Sequence, residues 1–296
     1  MDKKKRNTAV AGFDVINAVM LLLFTFICIY PFYYIFIYSL SDPIGSQKGV
    51  YLLPVGVTLQ NYINIFHLKG LANSAFVSIS RTLAGTALTA VCCTFFAYLV
   101  TKKQLYCRKA VYRFVIISMY FNAGLIPWYL TMKMFHLNNN FLVYILPYII
   151  SAYYVILIKT FIEQLPQSLE ESAKIDGAGL ITTFVKLIFP LSMPIIATIT
   201  VFAAVAQWNT WFDNFFLVQN PRLNTLQLLL YNYLSEANRI AQASSEDLAR
   251  GTVIRKMTPE TVRMTITMVV TFPILFVYPF MQKYFVKGIM LGAVKG

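Results

Sequence analysis

Residues Glu170-Glu171-Ser172-Ala173-Lys174-Ile175-Asp176-Gly177 place carboxylates, an ammonium and a glycine side by side between two long apolar runs. Carboxylates can carry acid–base or metal chemistry when they converge with one another or with histidine. His67 and His136 stand alone, and Cys28, Cys92, Cys93 and Cys107 have neither metal-ligand nor disulfide spacing. No Ser-His-Asp set or His-Glu-x-x-His occurs, so no catalytic residue and no metal site are expected. What the octet can do is make a charged mechanical contact. Pro166 breaks the preceding run, Ser168 and Glu171 have the spacing of a capping box, and Gly177 suits a left-handed helix end. A short helix, a turn and a second helix rising through Pro190 and Pro194 are expected. Such a knob fits a cleft on a soluble partner. An ordinary capped loop is the alternative, but it leaves the joint spacing of Glu171, Gly177 and Pro190 unaccounted for.

A second set of residues is polar or aromatic inside apolar runs: Arg81, Asn122, Trp128, Tyr153, Tyr154, Gln207 and Trp208, with Asn209 next in line. Aromatic faces stack on sugar rings and amides bond hydroxyls, so the mixture suits a sugar pathway. Each has a plainer alternative, as an interfacial aromatic or in helix packing, and for Asn122 as an inter-helix hydrogen bond. Arg81 lies about a third of the way into its run; a charge there either snorkels to the interface or faces a cavity. In a cavity it would meet an acidic solute such as a uronic-acid oligosaccharide. Gly85, Thr89 and Cys93 form a small-residue stripe that marks helix packing.

The elements that must position these residues are membrane spans. The 296 residues are 58% hydrophobic and 12% charged, with mean hydropathy +0.62; soluble domains carry about twice that charged fraction. Continuous apolar runs argue for helices over a barrel, whose strands alternate. The pattern predicts an all-α polytopic membrane protein of about six spans: Asp14–Leu40, Leu71–Val100, Val111–Met134, Phe141–Phe161, Thr183–Trp208 and Val262–Phe285. The first run is too long for a signal-peptide core and is expected to remain as a span.

Basic residues fix the orientation. The net charge of +13 gathers beside the spans: Lys3 to Arg6, then Lys102, Lys103, Arg108, Lys109 and Arg113, then Lys174 and Lys186, then Lys283, Lys287 and Lys295. All fall on one side, which the positive-inside rule makes cytoplasmic; this placement explains the charge without nucleic acid. The expected organisation is therefore a cytoplasmic N-terminus at 1–13, a transmembrane domain at 14–285 with a cytoplasmic loop at 164–182, extracytoplasmic segments at 41–70 and 209–261, and a cytoplasmic tail at 286–296. In the first outer segment Leu59, Tyr62, Ile63 and Phe66 have the spacing of an amphipathic helix, set on the outer membrane face or against a partner. The second outer segment is long, polar and charge-mixed, a solvated loop or a partner-binding one.

Glu171-Ser172-Ala173, then Gly177, then Leu187-x-Phe189-Pro190 resembles the Glu-Ala-Ala coupling loop of permease subunits of bacterial ATP-binding-cassette (ABC) importers, with Ser172, Leu187 and Phe189 as departures. Gln207-Trp208-Asn209 and the ending from Gln282 to Gly296 are similar to the carbohydrate branch, the MalG-like binding-protein-dependent transport inner-membrane components of the LplC type. The resemblance implies a type I importer permease fold in the bacterial cytoplasmic membrane. It implies a second homologous permease, two ABC ATPase subunits and an extracytoplasmic sugar-binding protein as partners. Glu170, Glu171, Ser172, Ala173, Asp176, Gly177 and Pro190 would then be the ATPase-coupling residues. The chain lacks a Gly-x-x-x-x-Gly-Lys-Ser/Thr loop, so ATP and Mg are expected on the partner ATPase and no cofactor on this chain. A permease for a non-sugar solute shares the loop. An ion-coupled secondary transporter would need ionisable residues deep in several spans, and the span interiors offer Arg81 and no carboxylate.

Overall fold

The computed structural model describes residues 3–68, 70–242 and 258–293. Every regular element among them is helical. The chain forms two compact units, Met1–Leu68 with Asn232–Thr271, and Lys69–Tyr231 with Phe272–Gly296.

In the first unit α1 (Lys3–Ser39) is helical from Lys3, so no break separates residues 3–13 from the span. Its apolar residues face outward on all sides from Phe13 to Ile29, the pattern of a helix surrounded by hydrocarbon. Phe26, Tyr30, Tyr34 and Tyr38 stack at four-residue intervals with centroids 6.0, 6.3 and 5.9 Å apart. α2 (Gln60–Phe66) forms where an amphipathic helix is expected, and a second face of it packs on the chain. Asn61 and Ile65 are buried, while Leu59, Ile63 and Phe66 are exposed. The cause is polar: the Asn61 amide donates to the Ser39 and Ser41 carbonyls at 2.9 and 2.8 Å, closing the end of α1.

The second unit is organised around α3 (Leu71–Thr101), which packs on both α6 and α10 below. The predicted third span is broken. α4 (Arg108–Tyr120) and α5 (Leu125–Met134) are separated where Asn122 Oδ1 accepts from the Gly124 N–H at 2.9 Å and Gly124 takes φ +82°. The fourth is two 3-10 turns, Phe141–Tyr144 and Leu146–Tyr148, followed by α6 (Ala152–Ile162) at a 46° bend. Pro147 has no N–H to carry an α-helix through the bend. After α7 (Gln167–Ile175) come α8 (Leu180–Thr183), a π-turn at Phe184–Ile188, α9 (Phe189–Leu191) and α10 (Met193–Asn209). The fifth run therefore bends by 80° at Ser192, between Pro190 and Pro194.

Of the two alternatives for the second outer segment, a solvated loop does not describe residues 209–231. α11 (Phe212–Leu217) and the start of α12 (Leu226–Gln242) bury Asp213, Asn214, Leu217, Thr225 and Leu228. They fold back on the first half of α3, where Ser78 Oγ accepts from the Leu226 N–H and Asn73 donates to the Arg222 carbonyl. Residues 243–257 of that segment lie outside the described residues. α13 (Pro259–Ala293) runs through residue 285 without a break.

Among the described residues three helices are long and apolar enough to cross a membrane, or five if each bent pair is one span. The third predicted run, broken between α4 and α5, is not among them. The core joins Cys93, Ala97, Tyr98, Ile158, Ile162, Ile188 and Ile199 around Phe184. The Phe184 ring meets Phe95 edge-on at 5.1 Å, a contact worth about 0.5–1.5 kcal/mol beyond its buried area.

Candidate translocation cleft and coupling helix

α7 starts at Gln167 with Pro166 at its N-cap, two residues earlier than the Ser168–Glu171 capping box requires, so Ser168 lies in the first turn and makes no cap. Its C-terminal end is the expected one. The Gly177 N–H donates to the Lys174 carbonyl at 3.0 Å and the Ala178 N–H to the Ala173 carbonyl at 2.9 Å. These are the paired bonds of a Schellman end, and Gly177 takes φ +76° to make them. Glu171, Ser172, Asp176 and Gly177 are exposed and Ala173 is half-buried. Ile175 is 87% exposed, the most prominent apolar group on the knob.

Glu170 does not share that outward face. It forms an ion pair with Lys102, the residue that ends α3. The Lys102 ammonium also lies 3.8 Å from the Tyr98 ring centroid. Burial pulls the Lys102 pKa below its ordinary value, and Glu170 opposes that shift. Glu170 thus grips its own chain, whereas among the described residues no ion pair engages Glu171. Pro190 sits on the far side of the π-turn, where the Phe189 N–H reaches the Phe184 carbonyl just ahead of a residue without an N–H.

Arg81 does not snorkel, and its charge is held by groups of this chain. It is 1% exposed and forms a two-pronged pair with Asp213, which is fully buried, at 3.1 and 2.5 Å. Its Nε donates to Gln207 Oε1 at 3.0 Å and an outer nitrogen to the Thr210 carbonyl at 2.9 Å. The guanidinium lies 4.7 Å from the Tyr144 ring centroid. Four of its N–H bonds are thus directed at acceptors of this chain, and Asp213 accepts in addition from the Asn214 N–H at 2.8 Å. The pair is neutral and satisfied, the condition under which a buried charge is tolerated. An acidic solute would therefore meet an Arg81 whose charge Asp213 already balances.

A cleft of ≈ 320 Å³ opens between α3, the bend before α6, and α10. Tyr148, Ser151, Tyr154, Gln207 and Thr210 line it, with the edge of Arg81 and Thr89. The structure so brings together three of the residues singled out in the sequence, Arg81, Tyr154 and Gln207. It does not bring in the others. Asn122 turns back on its own backbone at the helix break. Trp128 packs on Phe212 at 5.5 Å. Tyr153 is half exposed beside Tyr154 at 6.0 Å. Trp208 is half-buried outside the cleft, and Asn209 accepts from the Gln227 amide at 3.2 Å. The small-residue stripe packs as expected: Thr89 donates to the Tyr148 carbonyl at 3.0 Å, and Cys93 Sγ sits 3.4 Å from the Ile149 carbonyl. Asp213, Tyr148 and Ser151 escaped the sequence reading. For Asp213 a signal existed, since a charge inside a span calls for a counter-ion and few acids border the outer ends of the spans.

Residues 11–291 match the family described as "Binding-protein-dependent transport system inner membrane component". The chain is 34% identical to the polygalacturonan/rhamnogalacturonan transport system permease protein YtcP of Bacillus subtilis (strain 168), over 96% of this chain and 98% of that protein. It is 35% identical to Protein LplC of the same organism, over 96% and 95%. Among solved structures it matches a chain of a bacterial ABC transporter involved in the import of the acidic polysaccharide alginate. The TM-score is 0.83 and the identity 29%, with 96% of this chain and 99% of that one covered. The fold is that of an ABC importer permease, and the chain belongs to the binding-protein-dependent transport system inner membrane components.

Proposed function

We propose that the chain is the permease subunit of an ATP-driven, binding-protein-dependent importer of an oligosaccharide derived from a complex or acidic polysaccharide. Its partners are a second homologous permease, two ABC ATPases that carry ATP and Mg, and an extracytoplasmic sugar-binding protein. The termini and α7 face the cytoplasm, in keeping with the basic residues beside them. The sugar class is supported by the polygalacturonan/rhamnogalacturonan named for the YtcP relative and by the composition of the cleft, which two tyrosines, Ser151 and Gln207 line.

The observation that carries the mechanism is that one helix holds both sites. α3 contributes Arg81 and Thr89 to the cleft and, just past its end, Lys102 to the grip on α7, about 20–30 Å apart by helical rise. Closure of the ATPase dimer on ATP moves α7 through Glu171 and Ile175. The Lys102–Glu170 pair passes that displacement to α3, and the cleft switches its access from one side to the other. Because Asp213 neutralises Arg81, this chain's wall of the cleft is without net charge. Discrimination between acidic and neutral sugars then falls to the binding protein or the second permease. The test is to reconstitute the complex and find which solute-loaded binding protein stimulates its ATPase. Stimulation by an oligosaccharide-loaded protein supports the reading; stimulation by a peptide- or ion-loaded one alone overturns it.

A further inference from the structure

After α3 the chain turns through residues 102–107 and starts α4. There Lys103, Arg108, Lys109 and Arg113 line one shallow pocket of ≈ 610 Å³ together with Cys107 and Ala110. Among the described residues none of these cations has an acidic partner. Arg108 is held in place, donating to the Thr101 carbonyl at 3.0 Å at the end of α3. Concentrated, unpaired like charge repels itself and is relieved by an anion.

A second observation says which kind of anion. From Ala110 at the rim, Phe114 and Ile117 follow at helical spacing and are exposed, as is Phe121 just past the end of α4, while α4 buries Val115 alone, on another face. The cationic pocket therefore stands at the head of a continuous apolar track. A free phosphate needs only the cations, whereas a phospholipid needs both parts, a phosphate cradle at interface depth and hydrocarbon contact below it. We propose that the loop before α4 and the α4 surface bind an anionic phospholipid. Lys103, Arg108, Lys109 and Arg113 hold the headgroup phosphate, and an acyl chain lies along Phe114, Ile117 and Phe121. Lys103 and Arg108 also line the cleft beside Glu170 and Glu171, so the bound headgroup neighbours the coupling helix. The site does not depend on the identity of the transported solute.

The experiment is native mass spectrometry of the assembled importer, after exchange into equal mole fractions of phosphatidylglycerol and phosphatidylcholine. Wild-type complex is expected to retain phosphatidylglycerol selectively, and excess inorganic phosphate is expected not to displace it. Lys109→Gln and Arg113→Gln should each weaken retention about fivefold, the worth of one basic residue near an anionic surface. Arg113→Lys should keep it. The single neutralisations leave Lys102, Lys103 and Arg108 to hold the orientation. Equal retention of the two lipids by wild-type complex overturns the proposal without recourse to any variant. So do displacement by inorganic phosphate, the mark of a free-anion site, and unchanged retention in an assembled Arg113→Gln complex.

Discussion

Lys102 and Glu170 stand 68 residues apart and are joined by an ion pair that ties the end of α3 to the first turn of the coupling helix. The lysine is nearly buried and rests on the Tyr98 ring, while the carboxylate stays partly exposed. Glu170 in the first turn also complements the helix dipole of α7. The pair gives two elements that no loop joins directly a reason to move together.

Gly177 separates backbone geometry from bulk. A side chain there meets nothing within 4 Å, so the φ of +76° is the whole constraint. Gly177→Asn, which tolerates that conformation, should keep uptake near wild type. Gly177→Leu carries a backbone penalty of about 1–2 kcal/mol and should lower uptake roughly tenfold while ATP is still hydrolysed. Uptake and ATPase rates of both reconstituted complexes check this.

The buried pair predicts a pattern of rescue. Asp213→Ala strands the Arg81 guanidinium and should destabilise the subunit by about 3–5 kcal/mol, seen as loss of membrane yield and a lower unfolding temperature. Arg81→Met combined with Asp213→Leu should recover most of it. In complexes that assemble, Arg81→Gln should change the uptake of acidic and neutral sugars alike.

Gly85 lies against α10. A Cβ there would come within 2.7 Å of Gln207 Nε2 and 2.8 Å of its Cδ, and Gln207 is not free to withdraw because it accepts from Arg81. Gly85→Ala should cost about 1–3 kcal/mol through overpacking. In a Gln207→Ala background that cost should disappear, a non-additivity that thermal unfolding of the single and double variants measures.

Tyr154 lines the cleft and Tyr153, its neighbour in sequence, does not. Tyr154→Ala should raise the solute concentration for half-maximal uptake several-fold, at the scale of one lost aromatic contact of about 1 kcal/mol. Tyr153→Ala should leave it unchanged. Neither should alter the basal ATPase rate.

The apolar runs and the left-handed end at Gly177 were legible because each depends on local sequence. The breaks were only half legible. Pro147, Pro190 and Pro194 announce bends, but a run of suitable hydropathy reads the same whether straight or bent by 80°. The partner of Arg81 lies 132 residues away, and nothing local distinguishes Asp213 from an acid in a solvated loop until the segment folds back on α3. The packing of α2 was half legible for a related reason. Periodicity marked Leu59, Tyr62, Ile63 and Phe66 as its apolar face, but the carbonyls at the end of α1 had to be satisfied, and Asn61 on another face does that. Apolar spacing finds the face a helix can bury; what it does bury also depends on hydrogen bonds left open elsewhere in the chain.

The account rests on the Lys102–Glu170 link, and the ratio of solute imported to ATP hydrolysed tests it most directly. It should be measured in reconstituted complexes carrying Lys102→Gln, Glu170→Gln, and the charge exchange Lys102→Glu with Glu170→Lys. Each single variant should lower the ratio severalfold while ATPase activity persists, and the exchange should restore much of it, because the pair acts as a unit. Single variants that import as much solute per ATP as wild type, or an exchange variant no better than either, would contradict coupling through α3.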